Sequence, residues 1–148
     1  MRAFIQRVSE ARVKVAGEII GEIDAGFLVL VCAMNGDDKN DIQWMTKKLL
    51  SLRVMADDKG KLNLSIKEKG KQILLVSQFT LSASLRKGNR PSFTRALLPE
   101  SAALMIQELA AELRSFVKVA EGRFGADMKI ELINDGPISI WLDSQDKQ

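Results

Sequence analysis

Two residue types that carry much of enzyme chemistry are missing from this sequence of 148 residues, since it has neither histidine nor tyrosine. Without histidine, one chain cannot build a Ser-His-Asp triad, a Cys-His pair or a histidine-ligated zinc site. Any hydrolysis by this chain must therefore proceed without an imidazole base.

Cysteine is nearly absent too, because Cys32 is the single one in the chain. An intramolecular disulfide is excluded. Cys32 lies in the apolar run 27–33, so we interpret it as a buried structural thiol rather than a nucleophile.

Long apolar runs and a strong net charge are also lacking. No run approaches the roughly 20 residues that span a bilayer, and the opening MRAFIQRVSE has no apolar signal-peptide core, so we expect a cytoplasmic protein without membrane contact. The net charge of +3 does not by itself indicate a nucleic-acid partner. The charges cluster, however, with Arg86, Lys87, Arg90 and Arg95 in one stretch and several lysines between residues 59 and 71.

The hydrophobic periodicity predicts one domain over residues 1–148 with α+β architecture. We expect two amphipathic helices, from Asp38 and from Pro99 through Lys118, to cover a curved β-sheet. The expected strands are 2–16, 18–23, 27–33, 53–56, 72–79, 128–133 and 138–142. The polar tail 143–148 is expected to fray.

The apolar run 73–76 of the central strand is followed directly by Ser77, Gln78, Phe79 and Thr80, three of which are polar. A strand end presents amides and hydroxyls rigidly, so Ser77, Gln78 and Thr80 are candidate site residues, although such residues also simply end strands. The segment 82–99 follows, and its length, glycine and prolines are typical of a functional loop.

Four motifs now identify a family resemblance: QRVSEA at 6–11, SQFTL at 77–81, KGNRPSF at 87–93 and NDGPISIWLDS at 134–144. In this order and spacing they resemble the D-aminoacyl-tRNA deacylases over essentially the whole chain. The resemblance implies an editing hydrolase that cleaves D-aminoacyl-tRNA, and glycine mischarged on alanine tRNA, while sparing L-aminoacyl-tRNA. It also implies a barrel-like β core and a homodimer with a site shared between subunits. We expect no cofactor and name no metal-ligating residue, and the sequence leaves open whether a bound metal contributes.

Chiral selection is assigned by the same resemblance to Gly136 and Pro137, held as a cis peptide and inserted into the partner's site. The dipeptide alone favours trans, because only about 5–6% of X-Pro bonds in folded proteins are cis. In the cis form, the two carbonyls of this dipeptide could face the α-carbon of the substrate's amino acid, and they would then leave no room for an L side chain. Arg7 is implied to hold this loop, although a lone strand arginine can equally form a surface salt bridge.

For the chemistry, amides around Ser77 and Phe79 are the expected oxyanion donors. Thr80 lacks an adjacent base and is a poor nucleophile, so we favour assistance by the 2′-hydroxyl of the terminal adenosine. The resemblance places Phe124 and Met128 in the adenosine pocket, where plain core packing is the alternative. It places Arg86, Lys87 and Arg90 near tRNA phosphates.

Three other interpretations stay open at the level of sequence. The chain could be a non-enzymatic tRNA-binding module. It could be a hydrolase of other D-amino acid esters with Thr80 as nucleophile. It could also be a relative with a trans Gly136-Pro137 bond and relaxed chirality.

Overall fold

The computed structural model describes residues 1–146, and these form one α+β domain. The helices are α1 (Lys39–Ser51) and α2 (Pro99–Arg114), and a single 3-10 turn spans Phe79–Ser82. The strands are β1 (Arg2–Val15), β2 (Glu18–Ile23), β3 (Gly26–Cys32), β4 (Met55–Ala56), β5 (Leu62–Leu64), β6 (Gln72–Ser77), β7 (Val119–Glu121) and β8 (Lys129–Asp143). The α+β class with two covering helices is confirmed.

The long strand β1 is the axis of the sheet, since it pairs antiparallel with β2, β3 and β8. Beyond β3 the order continues to β6 and β7, which pair in parallel. The sheet then curls until β2 approaches β7, so closely that a Cβ at Gly21 would lie 2.5 Å from the Glu121 carbonyl oxygen. The sheet is therefore a nearly closed barrel, as expected.

Alternation along the central strands divides the core in two. On β3 and β6, Phe27, Val29, Ile73 and Leu75 pack toward the helices, in a cluster that includes Leu109 of α2. Their neighbours face the barrel interior, in a second cluster that contains Leu28, Leu74 and Val76. Strands that are buried on both faces explain the continuous apolar runs in the sequence.

Each helix begins where its sequence predicts. Asp38 caps α1 in a reciprocal box, because its carboxylate accepts from the Asp41 amide while the Asp41 carboxylate accepts from the Asp38 amide at 2.9 Å. Pro99 occupies the first turn of α2, where a missing N–H costs nothing. Neither helix within residues 1–146 is long and apolar enough to cross a bilayer.

Several predicted boundaries were wrong. Helix α2 ends at Arg114 rather than Lys118, and the chain then pairs Val119–Glu121 with β6 as a strand that the sequence did not predict. Strand β6 ends at Ser77 rather than at residue 79, because the chain turns there into the 3-10 segment. The short strand β5 was missed, and its partner β4 covers only half of the predicted range 53–56.

The C-terminal region is also more ordered than expected. Strand β8 continues through Asn134–Pro137 where an interruption was predicted. Ser144 is fully buried, and its hydroxyl accepts from the Met1 ammonium at 2.5 Å, so the predicted fraying of 143–148 is wrong at this residue. Residues 147 and 148 of that tail lie outside the described residues.

Candidate active site at the end of the central strand

A cavity of about 770 Å³ lies at the carboxyl ends of β3 and β6, against the first turns of α2. Its walls are largely apolar, with polar groups at one side, which is typical of a small-molecule site. Five sequence-predicted residues line it: Ser77, Gln78, Phe79, Phe124 and Met128. The structure therefore brings the first three residues of SQFTL together with two residues about 50 positions later in the chain, whereas Thr80 is not part of the cavity lining.

The main chain changes direction at this cavity. The Gln78 amide still donates to the Val31 carbonyl at 2.7 Å, which completes the pairing of β6 with β3. The next two amides, of Phe79 and Thr80, open the 3-10 turn and donate to no acceptor among residues 1–146. Such first-turn amides have no partner inside the helix, so they are available to a ligand oxygen.

Aromatic rings stand at two sides of the cavity. Phe79 is 59% exposed and meets Phe93 edge to face, with ring centroids 5.0 Å apart. Phe124 is 43% exposed, and the half-buried Met128 lines the wall beside it. These apolar surfaces suit a planar ring of a ligand, because aromatic faces and thioethers pack well against such rings.

The wall opposite β6 was not predicted residue by residue. It comes from the segment 93–98 and from α2, with Phe93, Leu97 and Ile106 among its members. The Leu97 amide donates to the Ala33 carbonyl at 2.9 Å, and the Asn35 amide donates to the Arg95 carbonyl at 2.9 Å. A phenylalanine inside an otherwise polar loop motif, KGNRPSF, was the available signal.

The loop 84–92, which carries three basic residues, is closed by two main-chain hydrogen bonds between Ser84 and Ser92, at 2.9 and 3.0 Å. Arg86, Lys87 and Arg90 lie in the exposed segment between these two residues. They do not line the cavity. The structure therefore holds these three cations beside the site, on a loop whose later residues form the cavity wall.

Thr80 is exposed, and its hydroxyl accepts from the Gln78 side-chain amide. No other hydrogen bond to this hydroxyl is present among the described residues, so no carboxylate, lysine or imidazole is placed to take its proton. Within residues 1–146 the geometry thus supplies main-chain donors and a hydroxyl, but no general base beside that hydroxyl.

Cys32 forms part of the cavity wall but is only 2% exposed. Burial raises the pKa of its thiol to about 11, since desolvation disfavours the thiolate. The interpretation of Cys32 as a buried structural thiol is confirmed.

Gly136 and Pro137 lie outside the cavity lining of their own chain and are both exposed. Their peptide bond is cis. Arg7 contacts the segment directly, because its Nε donates to the Asp135 carbonyl at 2.8 Å and its guanidinium also donates to the Val54 carbonyl at 2.7 Å. The arginine thus makes main-chain contacts in addition to its ion pair with Asp135.

No group of three or more histidine, cysteine, aspartate or glutamate side chains suited to a metal ion occurs in residues 1–146.

Comparison with known proteins shows which family the chain resembles. The family model described as D-Tyr-tRNA(Tyr) deacylase matches residues 4–143. A D-aminoacyl-tRNA deacylase of Cereibacter sphaeroides is 48% identical over 145 residues, covering 97% of this chain and 100% of the relative. A protein of the same name from Chloroherpeton thalassium is 47% identical over 150 residues, covering 100% of this chain and 99% of the relative.

Solved structures agree with the fold. The structure titled c-Myc DNA unwinding element binding protein superposes with a TM-score of 0.90 at 38% identity, covering 97% of this chain and 98% of that one. A second, a probable eukaryotic D-amino acid tRNA deacylase, has a TM-score of 0.82 at 15% identity, covering 95% and 97%, and shows the shared fold alone.

Proposed function

The chain belongs to the D-Tyr-tRNA(Tyr) deacylase family, whose curated members are named D-aminoacyl-tRNA deacylases, and we propose that it hydrolyses the ester linking a D-amino acid to the end of tRNA. The carrying observation is a cavity that offers the unpaired main-chain amide of Phe79 and an apolar wall, but no carboxylate, lysine or imidazole among its described lining residues. An activated ester needs little more than positioning and charge stabilisation, so this arrangement suits it.

In the proposed reaction, the terminal adenine packs between the Phe124 and Met128 side of the cavity and the ring of Phe79. The ester carbonyl then faces the free amide of Phe79 and its neighbours, as Ser77 and Gln78 hold the strand end in place. Each oxyanion donor contributes roughly 2.7–4 kcal/mol to stabilising the tetrahedral intermediate. No protein nucleophile is required.

The missing base is supplied by the substrate in this proposal. The 2′-hydroxyl of the terminal ribose lies next to the ester by its own covalent structure and can activate the attacking water. Thr80 orients the substrate or the water, because its hydroxyl has only the Gln78 amide as partner in the described chain. A threonine without a base is a poor nucleophile.

We further propose that selectivity comes from a second copy of the chain. Gly136 and Pro137 are exposed and do not line their own cavity, which suits insertion into a partner's site. The main-chain carbonyls of Gly136 and Pro137, placed near the substrate's α-carbon, would accept hydrogen bonds from its amino group. They would also exclude an L side chain by steric contact. A D side chain would point away, and glycine, including glycine mischarged on alanine tRNA, would be accepted because it has no side chain.

The tRNA body is proposed to contact Arg86, Lys87 and Arg90. Their exposed position on the loop that leads into the cavity wall suits phosphates near the acceptor end. Such contacts would position the substrate without reading its sequence.

The test is single-turnover deacylation of a D-aminoacyl-tRNA, with substrates that end in adenosine or in 2′-deoxyadenosine. We expect rapid cleavage of the first substrate and a rate near that of buffer for the second. Thr80→Ala should retain most of the activity on the normal substrate. If Thr80→Ala abolished cleavage while the deoxy substrate was still hydrolysed, the side chain would be the nucleophile.

A second candidate function is a nucleic-acid-binding module, because one structural relative with 38% identity is named as a DNA-binding protein. It predicts that the wild-type chain binds tRNA but leaves both D- and L-esters uncleaved in the same assay.

A further inference from the structure

The segment that carries Gly136 and Pro137 is held by a side chain from its own strand. The Asn134 carboxamide accepts from the Ile138 amide at 2.8 Å and donates to the Ile138 carbonyl at 3.2 Å. It also donates to the Ser139 hydroxyl at 3.2 Å. One side chain therefore bonds both main-chain groups of Ile138 and closes residues 135–137 into a short loop.

This contact requires an asparagine. A carboxamide places one acceptor and one two-proton donor side by side, and here the acceptor and both donor directions are used. Aspartate would keep the acceptor for the Ile138 amide but could not donate to the Ile138 carbonyl. Alanine would remove the whole contact.

The loop leaves no room for a side chain at Gly136 and is held on both flanks. Gly136 has a φ of +148°, and a Cβ there would lie 2.8 Å from Ile138 Cγ1 and 2.9 Å from the Ile138 nitrogen. Arg7 holds the other flank through the Asp135 carbonyl, at 2.8 Å. The exposed tip is thus fixed from both ends, by Arg7 before Gly136 and by Asn134 after Pro137.

We propose that Asn134 is a positioning residue that determines chiral selectivity by fixing the carbonyls of the Gly136-Pro137 tip. The inference rests on the proposed function, and Asn134 itself does not touch the substrate. Steric exclusion works only if the excluding wall cannot yield, because a loose wall moves aside for the extra atoms. Releasing the Ile138 contact would let the tip yield to an L side chain.

If Asn134 only stabilised the fold, its substitution would have a different effect. The substitution would lower the melting temperature and reduce cleavage of D- and L-substrates in the same proportion. A selectivity-determining contact instead changes the ratio of the two rates. The ratio is therefore the readout that separates the two roles.

The experiment compares wild type, Asn134→Ala, Asn134→Asp and Ser139→Ala on one tRNA charged in parallel with a D-amino acid and its L enantiomer. Single-turnover kcat/KM is measured for each, with circular dichroism and Tm as checks of folding. Ser139→Ala is the matched control, because it removes one Asn134 contact and leaves both bonds to Ile138.

We expect the D/L ratio to fall by about tenfold or more in Asn134→Ala, through faster L cleavage. Asn134→Asp should give an intermediate ratio, and Ser139→Ala should keep the wild-type ratio. An unchanged ratio in folded Asn134→Ala would overturn the inference. If that variant fails to fold, a wild-type ratio in Asn134→Asp would do so.

Failure of the proposed function gives a different result. In that case the wild-type enzyme itself would not cleave the D-ester above the rate in buffer, or would not discriminate between enantiomers. Loss of discrimination that is confined to the Asn134 variants supports the inference and the function together.

Discussion

At the scale of single residues, Cys32 shows how a potentially reactive group is kept inert beside the site. Its sulfur lies at the cavity wall yet is almost fully buried, and burial raises its pKa to about 11. The thiol form therefore predominates at neutral pH, and thiolate chemistry is not available to the enzyme.

This raised pKa makes a prediction for thiol labelling. Native protein at pH 8 should react with 5,5′-dithiobis(2-nitrobenzoate) at least tenfold more slowly than urea-unfolded protein, because the thiolate is scarce and buried. Since Cys32 is the single cysteine, Cys32→Ala is a complete control. Equal rates for native and unfolded protein would contradict the assignment.

The same shift has a consequence for stability. The folded chain holds the Cys32 proton more tightly than the unfolded chain, whose thiol has the ordinary value near 9.0. The protonated thiol therefore contributes fully to the free energy of unfolding below pH 9. This contribution is lost as the pH rises toward about 11. Cys32→Ala should remove this part of the alkaline loss of stability in urea titrations.

At the scale of elements, Arg2 joins three parts of the fold near the site. Its Nε donates to the Asp143 carboxylate of β8 at 2.8 Å, and its guanidinium donates to the Leu81 carbonyl of the 3-10 turn at 3.0 Å. The same group lies over the Trp141 ring at 5.7 Å. Arg2 thus holds the 3-10 turn that directly follows the cavity-lining residues Ser77 and Gln78.

We predict that Arg2→Lys slows single-turnover deacylation of D-aminoacyl-tRNA by about tenfold to a hundredfold, because small displacements of oxyanion donors are costly. The ratio of the D and L rates should stay near its wild-type value, since Arg2 does not hold the Gly136-Pro137 tip. Arg12→Lys is the control, because the ion pairs of Arg12 within residues 1–146 are with exposed carboxylates on β1 and β8. A wild-type rate in Arg2→Lys would refute this role.

Local pattern was sufficient for the elements that bury a regular face. Strand β1 follows from alternation, β2 from the turn at Gly17, and β3 from its continuous apolar run. The two helix starts follow from the Asp38 cap and Pro99. The strand Val119–Glu121 could not be predicted this way, because the apolar residues Phe116 and Val117 extend the helical period. Pairing with β6, distant in sequence, decides its conformation.

The candidate site is likewise partly predictable from local sequence. Its first part, Ser77, Gln78 and Phe79, lies at the end of a recognisable strand and belongs to a motif that carries the family resemblance. The facing wall depends on the path of residues 83–98, which is set by long-range contacts such as that of Asn35 with the Arg95 carbonyl. The contact of Asn134 with Ile138 was missed because sequence spacing does not show which side chain spans a turn.

At the scale of the whole molecule, the proposed site is complete only with a second chain. Sedimentation equilibrium should therefore give a mass of twice 16.4 kDa at assay concentrations. Deacylation measured on dilution should lose its D/L selectivity as the dimer dissociates. A monomer with full selectivity would exclude the shared site.

The proposed contact between the basic loop and tRNA is electrostatic, so it should depend on the salt concentration. Replacing Arg86, Lys87 and Arg90 together by alanine should lower the slope of log Kobs against log salt by roughly 0.7–0.9 for each phosphate that is no longer neutralised. The matched control is alanine at Lys59, Lys61 and Lys69, with the same change in net charge. Equal effects of both triple variants would indicate general attraction rather than contact at this loop.

In the proposed activity, this cavity hydrolyses D-aminoacyl-tRNA and spares the L form. Single-turnover deacylation of one tRNA, charged in parallel with a D-amino acid and with its L enantiomer, tests this with the wild-type protein. We expect cleavage of the D-ester far above the rate in buffer, with the L-ester at that background rate. Equal cleavage of both enantiomers, or of neither, would contradict it.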